Sequence, residues 1–216
     1  MSPVAPGSAL DAIVFDCDGV LIDSMPLKTA TFGRLFEHLG PEAARYVMDY
    51  HMAHGGVSRY VKFEHFHQKF HGRPVTPEES AALDRRFGEL AMQELLRTPP
   101  LPGVREFLEA HSAAWPLFVA SGAPQYELDA VLGALDLARH FKAIHGAPPA
   151  KAEVLRRIVE GHGLDPARVL MIGDAGTDLD AARIVGTRFL GVGPFPEPVA
   201  WMADLTGLAD HIAALG

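Results

Sequence analysis

Cysteine occurs once in the 216 residues, at Cys17. An intramolecular disulfide is therefore excluded, and a reducing, cytoplasmic setting is the expectation. No apolar run approaches the roughly 18 to 20 residues needed to cross a bilayer, so no membrane association is expected. The first eleven residues, Met1 to Asp11, carry two prolines, a glycine and two serines. They have neither the basic opening nor the apolar stretch of a signal peptide and read as a ragged start. A dense Lys/Arg block is missing too, and the formal net charge is −8. Nucleic acid and anionic membranes are thus poor partners, because broad electrostatic attraction is unavailable to either. What remains is 48% apolar and 21% charged, the composition of a packed globular protein long enough for one core domain and a small accessory unit.

The order of elements follows from periodicity. A short β-type run, Ala12-Ile13-Val14-Phe15, ends in Asp16. From Pro26 to Arg97 the spacing is helical. Leu27, Ala30, Leu35 and Leu39 suit a first helix, broken at Gly40-Pro41. Ala44, Val47, Met48 and His51 suit a second, ended by Gly55-Gly56. Tyr60, Phe63, His67 and Phe70 suit a third, closed by Gly72 and Pro74. Thr76-Pro77-Glu78-Glu79 opens a fourth, with threonine as cap, proline in the first turn and acids at the positive end of the dipole. Four consecutive helices make a small bundle.

After the breaker cluster Thr98-Pro99-Pro100-Leu101-Pro102-Gly103 the texture changes. Strands are expected at 117–120, 142–145, 168–172 and 188–192, alternating with helices at 104–113, 124–138, 151–162 and 177–185. The strands are short unbroken apolar runs, the mark of a parallel sheet covered on both faces. The expected fold is α/β, a doubly wound, Rossmann-like parallel-sheet core with a four-helix cap inserted after the first strand. Residues 1–23 and 98–216 would form the core and 24–97 the cap.

In an open parallel sheet, ligands bind beyond the carboxyl ends of the strands. There the sequence places Asp16-Cys17-Asp18-Gly19-Val20-Leu21, Ser121-Gly122, and Gly173-Asp174 followed by Asp178, with Lys151 opening the helix before the last of these strands. Taken singly, Asp16 and Asp18 read equally well as turn residues and Lys151 as an exposed lysine. Together, in this order and spacing, they resemble the motif set of the haloacid dehalogenase superfamily. The resemblance covers nearly the whole chain. It points to the phosphoglycolate phosphatase-like and β-phosphoglucomutase-like members, which carry a small helical cap.

The resemblance implies a Mg2+-dependent enzyme acting on a small phosphorylated metabolite. Asp16 would be the nucleophile and Asp18 the acid/base partner, with Ser121, Gly122 and Lys151 on the phosphoryl oxygens. The metal set would be Asp16, Asp18 through its backbone carbonyl, Asp174 and, as support, Asp178. Physical need agrees: a phosphate ester repels nucleophiles until its negative charge is offset. Cys17, between the two acids, is expected to pack rather than react.

β-Phosphoglucomutase-like members carry a histidine in the cap linker where this chain has Lys28. That favours hydrolysis of a phosphomonoester, with a sugar-phosphate phosphomutase as the alternative and a non-catalytic phosphometabolite binder as a further one. Lys28 is itself a candidate substrate contact. Gly55-Gly56-Val57-Ser58-Arg59 resembles a specificity loop, so Arg59 is read either as a substrate contact or as a solvated residue in the first turn of a helix. The cap histidines are expected on its surface. Oligomeric state is left open.

Overall fold

The computed structural model describes residues 10–195 and 197–214; of the ragged start expected over Met1 to Asp11, residues 1–9 lie outside them, whereas Leu10 is buried and Asp11 pairs with Arg168. β1 (Ala12–Phe15) is buried at every position. Four helices follow: α1 (Met25–Phe36), α2 (Pro41–Ala53), α3 (Arg59–His71) and α4 (Pro77–Leu95). The chain then alternates through α5 (Val104–His111), β2 (Leu117–Pro124), α6 (Gln125–Ala134), β3 (Ala143–Ala147), α7 (Lys151–Gly161), β4 (Val169–Gly173), α8 (Gly176–Val185) and β5 (Arg188–Val192). It closes with β6 (Trp201–Met202) and α9 (Leu208–Ala213).

All strand pairs are parallel, and the sheet runs β3-β2-β1-β4-β5-β6. From β1 the chain winds outward through β2 and β3, then returns to the other side of β1 as β4. The strand order thus reverses between β1 and β4, where a crevice opens at the carboxyl ends.

Alternation sorts the strand residues onto two apolar faces. Ile13, Phe15, Leu117, Val119, Leu170 and Ile172 belong to one core, shared with α5, α6, α9 and the cap. Ala12, Val14, Phe118, Ala120, Val169 and Met171 belong to the other, under α7 and α8. Both faces being covered is why these strands are apolar throughout.

The cap is held by aromatic packing. Phe32 of α1 is 6.1 Å from Phe63, 6.0 Å from Phe66 and 4.9 Å from Phe87, centroid to centroid. All four rings are buried, so Phe32→Ala would cost about 3–5 kcal/mol. The expected cap at Thr76 is present: its Oγ accepts from Glu79 N, while Glu79 accepts from Thr76 N. The two chain crossings between cap and core lie side by side. Ile22 and Pro100 form an antiparallel bridge, and Leu101 N donates to Leu21 O at 3.1 Å.

Some boundaries differ from expectation. α6 ends at Ala134 rather than near 138, because Asp136 adopts a left-handed φ of 57° that no helix continues. β2 runs past Ala120 to Pro124, with irregular register against β3, and so carries Ser121 and Gly122 within its end. β6 and α9, two and six residues long, have too few residues for a readable period. Among the described residues no helix is long and apolar enough to cross a membrane.

Candidate active site

Asp16 leaves β1 at the switch point, its N–H donating to Ile172 O of β4 at 2.8 Å. The chain then folds tightly, with Leu21 N and Ile22 N both donating to Cys17 O at 2.9 and 3.1 Å. Gly19 is required twice in this turn. Its φ is +77°, and a Cβ there would strike the Asp174 carboxylate. Cys17 turns into the apolar core, 1% exposed, and burial pushes its thiol well above the usual range. It is a packing residue.

One oxygen from each of Asp16, Asp174 and Asp178 lies within 4.8 Å of the others. Lys151 Nζ is 3.1 Å from Asp16 Oδ2 and also donates to Asp178 Oδ1. Asp178 Oδ2 accepts from Ala175 N at 3.1 Å, so both oxygens of this buried carboxylate are engaged. Asp16 Oδ1 is buried without a hydrogen-bond partner among the described residues. Burial, with Asp178 and Asp18 adding repulsion against the pull of Lys151, pushes Asp16 up to about 7. Burial and the charges of Asp16 and Asp178 push Asp174 up to about 8. Three acids share one ammonium, which is why two of them hold their protons more tightly than usual and why a cation is wanted between them. This donor set of hard oxygens fits a divalent cation such as Mg2+.

Asp18 has different surroundings. Its Oδ1 accepts from Ser24 Oγ and its Oδ2 from Lys28 Nζ at 2.6 Å. Burial alone would raise it, but Lys28 and then Ser24 hold it below the ordinary aspartate value. Its carboxylate is outside the three-acid cluster. Ser121 is buried, its Oγ accepting from Ala123 N at 3.1 Å, at the end of the neighbouring strand.

The cap covers this rim. Thr177 Oγ1 donates to Gly55 O at 3.3 Å, and a Cβ on Gly122 would collide with the Gly56 carbonyl. Between them lies a cavity of about 40 Å³, lined by Asp16, Asp18 and Ser121 from the core and by Lys28, Arg59 and Lys62 from the cap. A wider apolar cleft of about 620 Å³ adjoins it at Gly56 and Gly122 and reaches Lys151.

Lys28 is buried between Asp18 and Glu127, 2.6 Å from Glu127 Oε1, close enough for an ion pair though not aligned for a hydrogen bond. Arg59 is buried rather than solvated. Its guanidinium bonds Glu127, reaches Asp84 at 3.2 Å and lies 4.1 Å over the Phe87 ring. His51 and His67 are buried too, contrary to the expected cap surface: His51 lines the cavity against Phe32 and Lys62, and His67 packs beside His71 with Glu79 at 3.8 Å. Sequence reading missed Glu127, the common partner of Lys28 and Arg59. An acid in the first turn of α6 reads as an ordinary complement to the helix dipole. Ser24, which bonds Asp18, carries no sequence signal either, since a serine between a turn and a helix start is ordinary.

A doubly wound parallel sheet, a helical cap inserted after its first strand and an acidic cluster at the switch point define a capped α/β enzyme of the Rossmann-like class. A family model described as haloacid dehalogenase-like hydrolase matches residues 10–186, and the chain belongs to that family of hydrolases. Among curated relatives, the phosphoglycolate phosphatase of Neisseria gonorrhoeae is 28% identical over 200 residues, spanning 85% of this chain and 80% of its own. The phosphorylated carbohydrates phosphatase of Thermotoga maritima is 28% identical over 205 residues, spanning 85% of each. The crystal structure of β-phosphoglucomutase from Clostridium difficile superposes with a TM-score of 0.75 at 17% identity, over 95% of this chain and 98% of that one, a likeness of fold.

Proposed function

We propose that the protein is a Mg2+-dependent phosphatase that hydrolyses a small phosphomonoester, a sugar or other metabolite phosphate, through an aspartyl phosphate on Asp16. One observation carries this reading. Two aspartates a residue apart have opposite environments: Asp16 in the acidic cluster with a free oxygen, Asp18 held by Ser24 and Lys28. A cation held in the cluster would bring Asp16 back down and keep it ionised as a nucleophile, while Asp18, outside the cluster and paired with Lys28, is left to carry the proton. The phosphatase names of the relatives support it.

Mg2+, held by the carboxylates of Asp16 and Asp174 and the backbone carbonyl of Asp18 with Asp178 behind them, would neutralise phosphoryl charge. Asp16 attacks phosphorus as the bond to the leaving oxygen breaks. Ser121, the backbone at Gly122 and Lys151 bind the phosphoryl oxygens. Asp18 passes a proton to the leaving oxygen; the incoming phosphoryl charge beside it raises its affinity for that proton. Asp18 then takes a proton from the water whose oxygen attacks phosphorus, the bond to Asp16 breaks, and inorganic phosphate leaves. Lys151, bound to both Asp16 and Asp178, aims the nucleophile. The cap over residues 24–97 excludes water during the first half and admits it for the second, hinging at 23–24 and 98–102.

The alternative reading, a sugar-phosphate phosphomutase, is favoured by the fold likeness to β-phosphoglucomutase. Following inorganic phosphate against isomer formation with a phosphorylated sugar separates the two. Isomer without phosphate release would overturn hydrolysis. Asp16→Asn is expected to abolish phosphate release with the circular dichroism spectrum unchanged; wild-type turnover in that variant would remove Asp16 as nucleophile.

A further inference from the structure

The cap side of the cavity holds two donors that the reaction at Asp16 does not use. Three buried cations line this wall: Lys28, Arg59 and Lys62. Lys28 meets Asp18 and Glu127, and Arg59 meets Glu127 and Asp84. Lys62 meets no carboxylate among the described residues. Its Nζ touches His51 Nδ1 at 2.7 Å and lies 5.6 Å from the Phe32 ring centre. Lys62 is 2% exposed and His51 5%.

The pair also fixes the histidine tautomer. An ammonium donating to Nδ1 leaves the ring proton on Nε2. That nitrogen is buried and has no hydrogen-bond partner among the described residues. Burial first, then the charge of Lys62, lowers His51 to about 3, so the ring is neutral. Burial first, then the charge of Lys28 with Arg59 adding, lowers Lys62 to about 7. Lys62 thus has only a neutral ring for a partner and no carboxylate, and His51 Nε2 has no acceptor, among the described residues beside the nucleophile's cavity, an arrangement that is costly unless something fills it.

We propose that Lys62 and His51 form a subsite for a second anionic group on the substrate. The preferred substrates are then short phosphomonoesters whose leaving group bears that anion. A cavity of about 40 Å³ favours a carboxylate over a second phosphate. The inference rests on the phosphatase reading of Asp16, which places the phosphoryl group at the opposite wall.

Calorimetry on the Asp16→Asn protein with Mg2+ tests it, comparing 2-phosphoglycolate with ethylene glycol monophosphate, its neutral-ended analogue. Phosphoglycolate is expected to bind at least about tenfold tighter, the effect of one charge-assisted pair. Adding Lys62→Met should bring the ratio near one, while Lys62→Arg retains part of it. If Lys62→Met does not fold, His51→Phe reads the same ratio. Equal affinities, or a preference that survives both substitutions, would overturn the subsite, water then being its occupant. Phosphate release by the native protein separates the two readings. A calorimetric preference without release from either ester retains the subsite and sinks the phosphatase; release without preference does the reverse.

Discussion

Lys28 Nζ lies 2.6 Å from Asp18 Oδ2 and equally 2.6 Å from Glu127 Oε1, so one ammonium on the first cap helix joins the acid/base candidate to a core helix. All three groups are nearly or fully enclosed, and the charges balance only as a set together with Arg59.

Replacing Lys28 by Met therefore leaves two carboxylates facing one another with a single cation. Breaking a buried pair in this way costs about 3–5 kcal/mol. At this chain length each kcal/mol lowers Tm by roughly 2–4 °C. A thermal melt is expected to show that loss, and Lys28→Met with Glu127→Gln to recover part of it. Phosphate release should fall at least about tenfold in the single variant, because Asp18 loses its orientation.

Gly122→Ala isolates cap closure. The added Cβ meets the Gly56 carbonyl, a rigid methyl against backbone, with nothing able to rotate away. The core strand tolerates alanine, so Tm should change by less than about 1 kcal/mol equivalent. Closure should fail, lowering kcat/KM on the order of a hundredfold. Faster proteolysis within 98–102 would report the open cap; wild-type kinetics would show that closure does not depend on this contact.

The acidic cluster predicts a metal-dependent melting point. Three carboxylates around one ammonium gain most from a bound cation. With Mg2+ at about 100 times its Kd, the native state gains about 2.7 kcal/mol, or roughly 5–10 °C here. The increment should vanish in Asp174→Asn, and excess chelator should silence phosphate release in the native protein.

Glu79 gives a pH signature far from the site. The Arg73 fork first, then the Thr76 N–H, hold its carboxyl down at about 2 against an ordinary 4.5. A lowered folded pKa adds stability above the unfolded value and loses it as pH falls through the folded one. The denaturation midpoint of the native protein should thus exceed that of Glu79→Gln at pH 7. The gap should close between about pH 4.5 and 2. A gap constant across that range would mean Glu79 acts only through packing.

The rim of the candidate site was legible because a parallel sheet brings every strand's carboxyl end to one edge. Asp16, Ser121 and Asp174 needed only correct strands to become neighbours, and Lys151 only a correct helix start. The cap helices were legible from their Gly and Pro stops. The wall facing the rim was not. Glu127 pairs with Lys28 and Arg59 across the domain boundary, and such pairing leaves no periodic trace in a sequence. Arg59 was readable as a substrate contact or as a solvated residue, but its buried pairing with Glu127 and Asp84 was not, because both partners are distant in sequence. His51 carried an apolar-face position, yet a lone histidine there gave no hint of its contact with Lys62.

The paired crossings at Leu21–Ile22 and Pro100–Leu101 make the helical insertion a closed loop on a continuous strand–turn frame. Its two ends are already hydrogen-bonded to each other, so the core does not depend on the insertion to bring them together. A different cap, longer or shorter, can be grafted at this seam without altering the strand register that places Asp16 beside Asp174. On the proposed reading the nucleophile and metal carboxylates stay on the core strands, and the cap must keep Lys28 beside Asp18. The choice of substrate could then drift through residues such as Lys62 while Asp16 and Asp174 stay where they are.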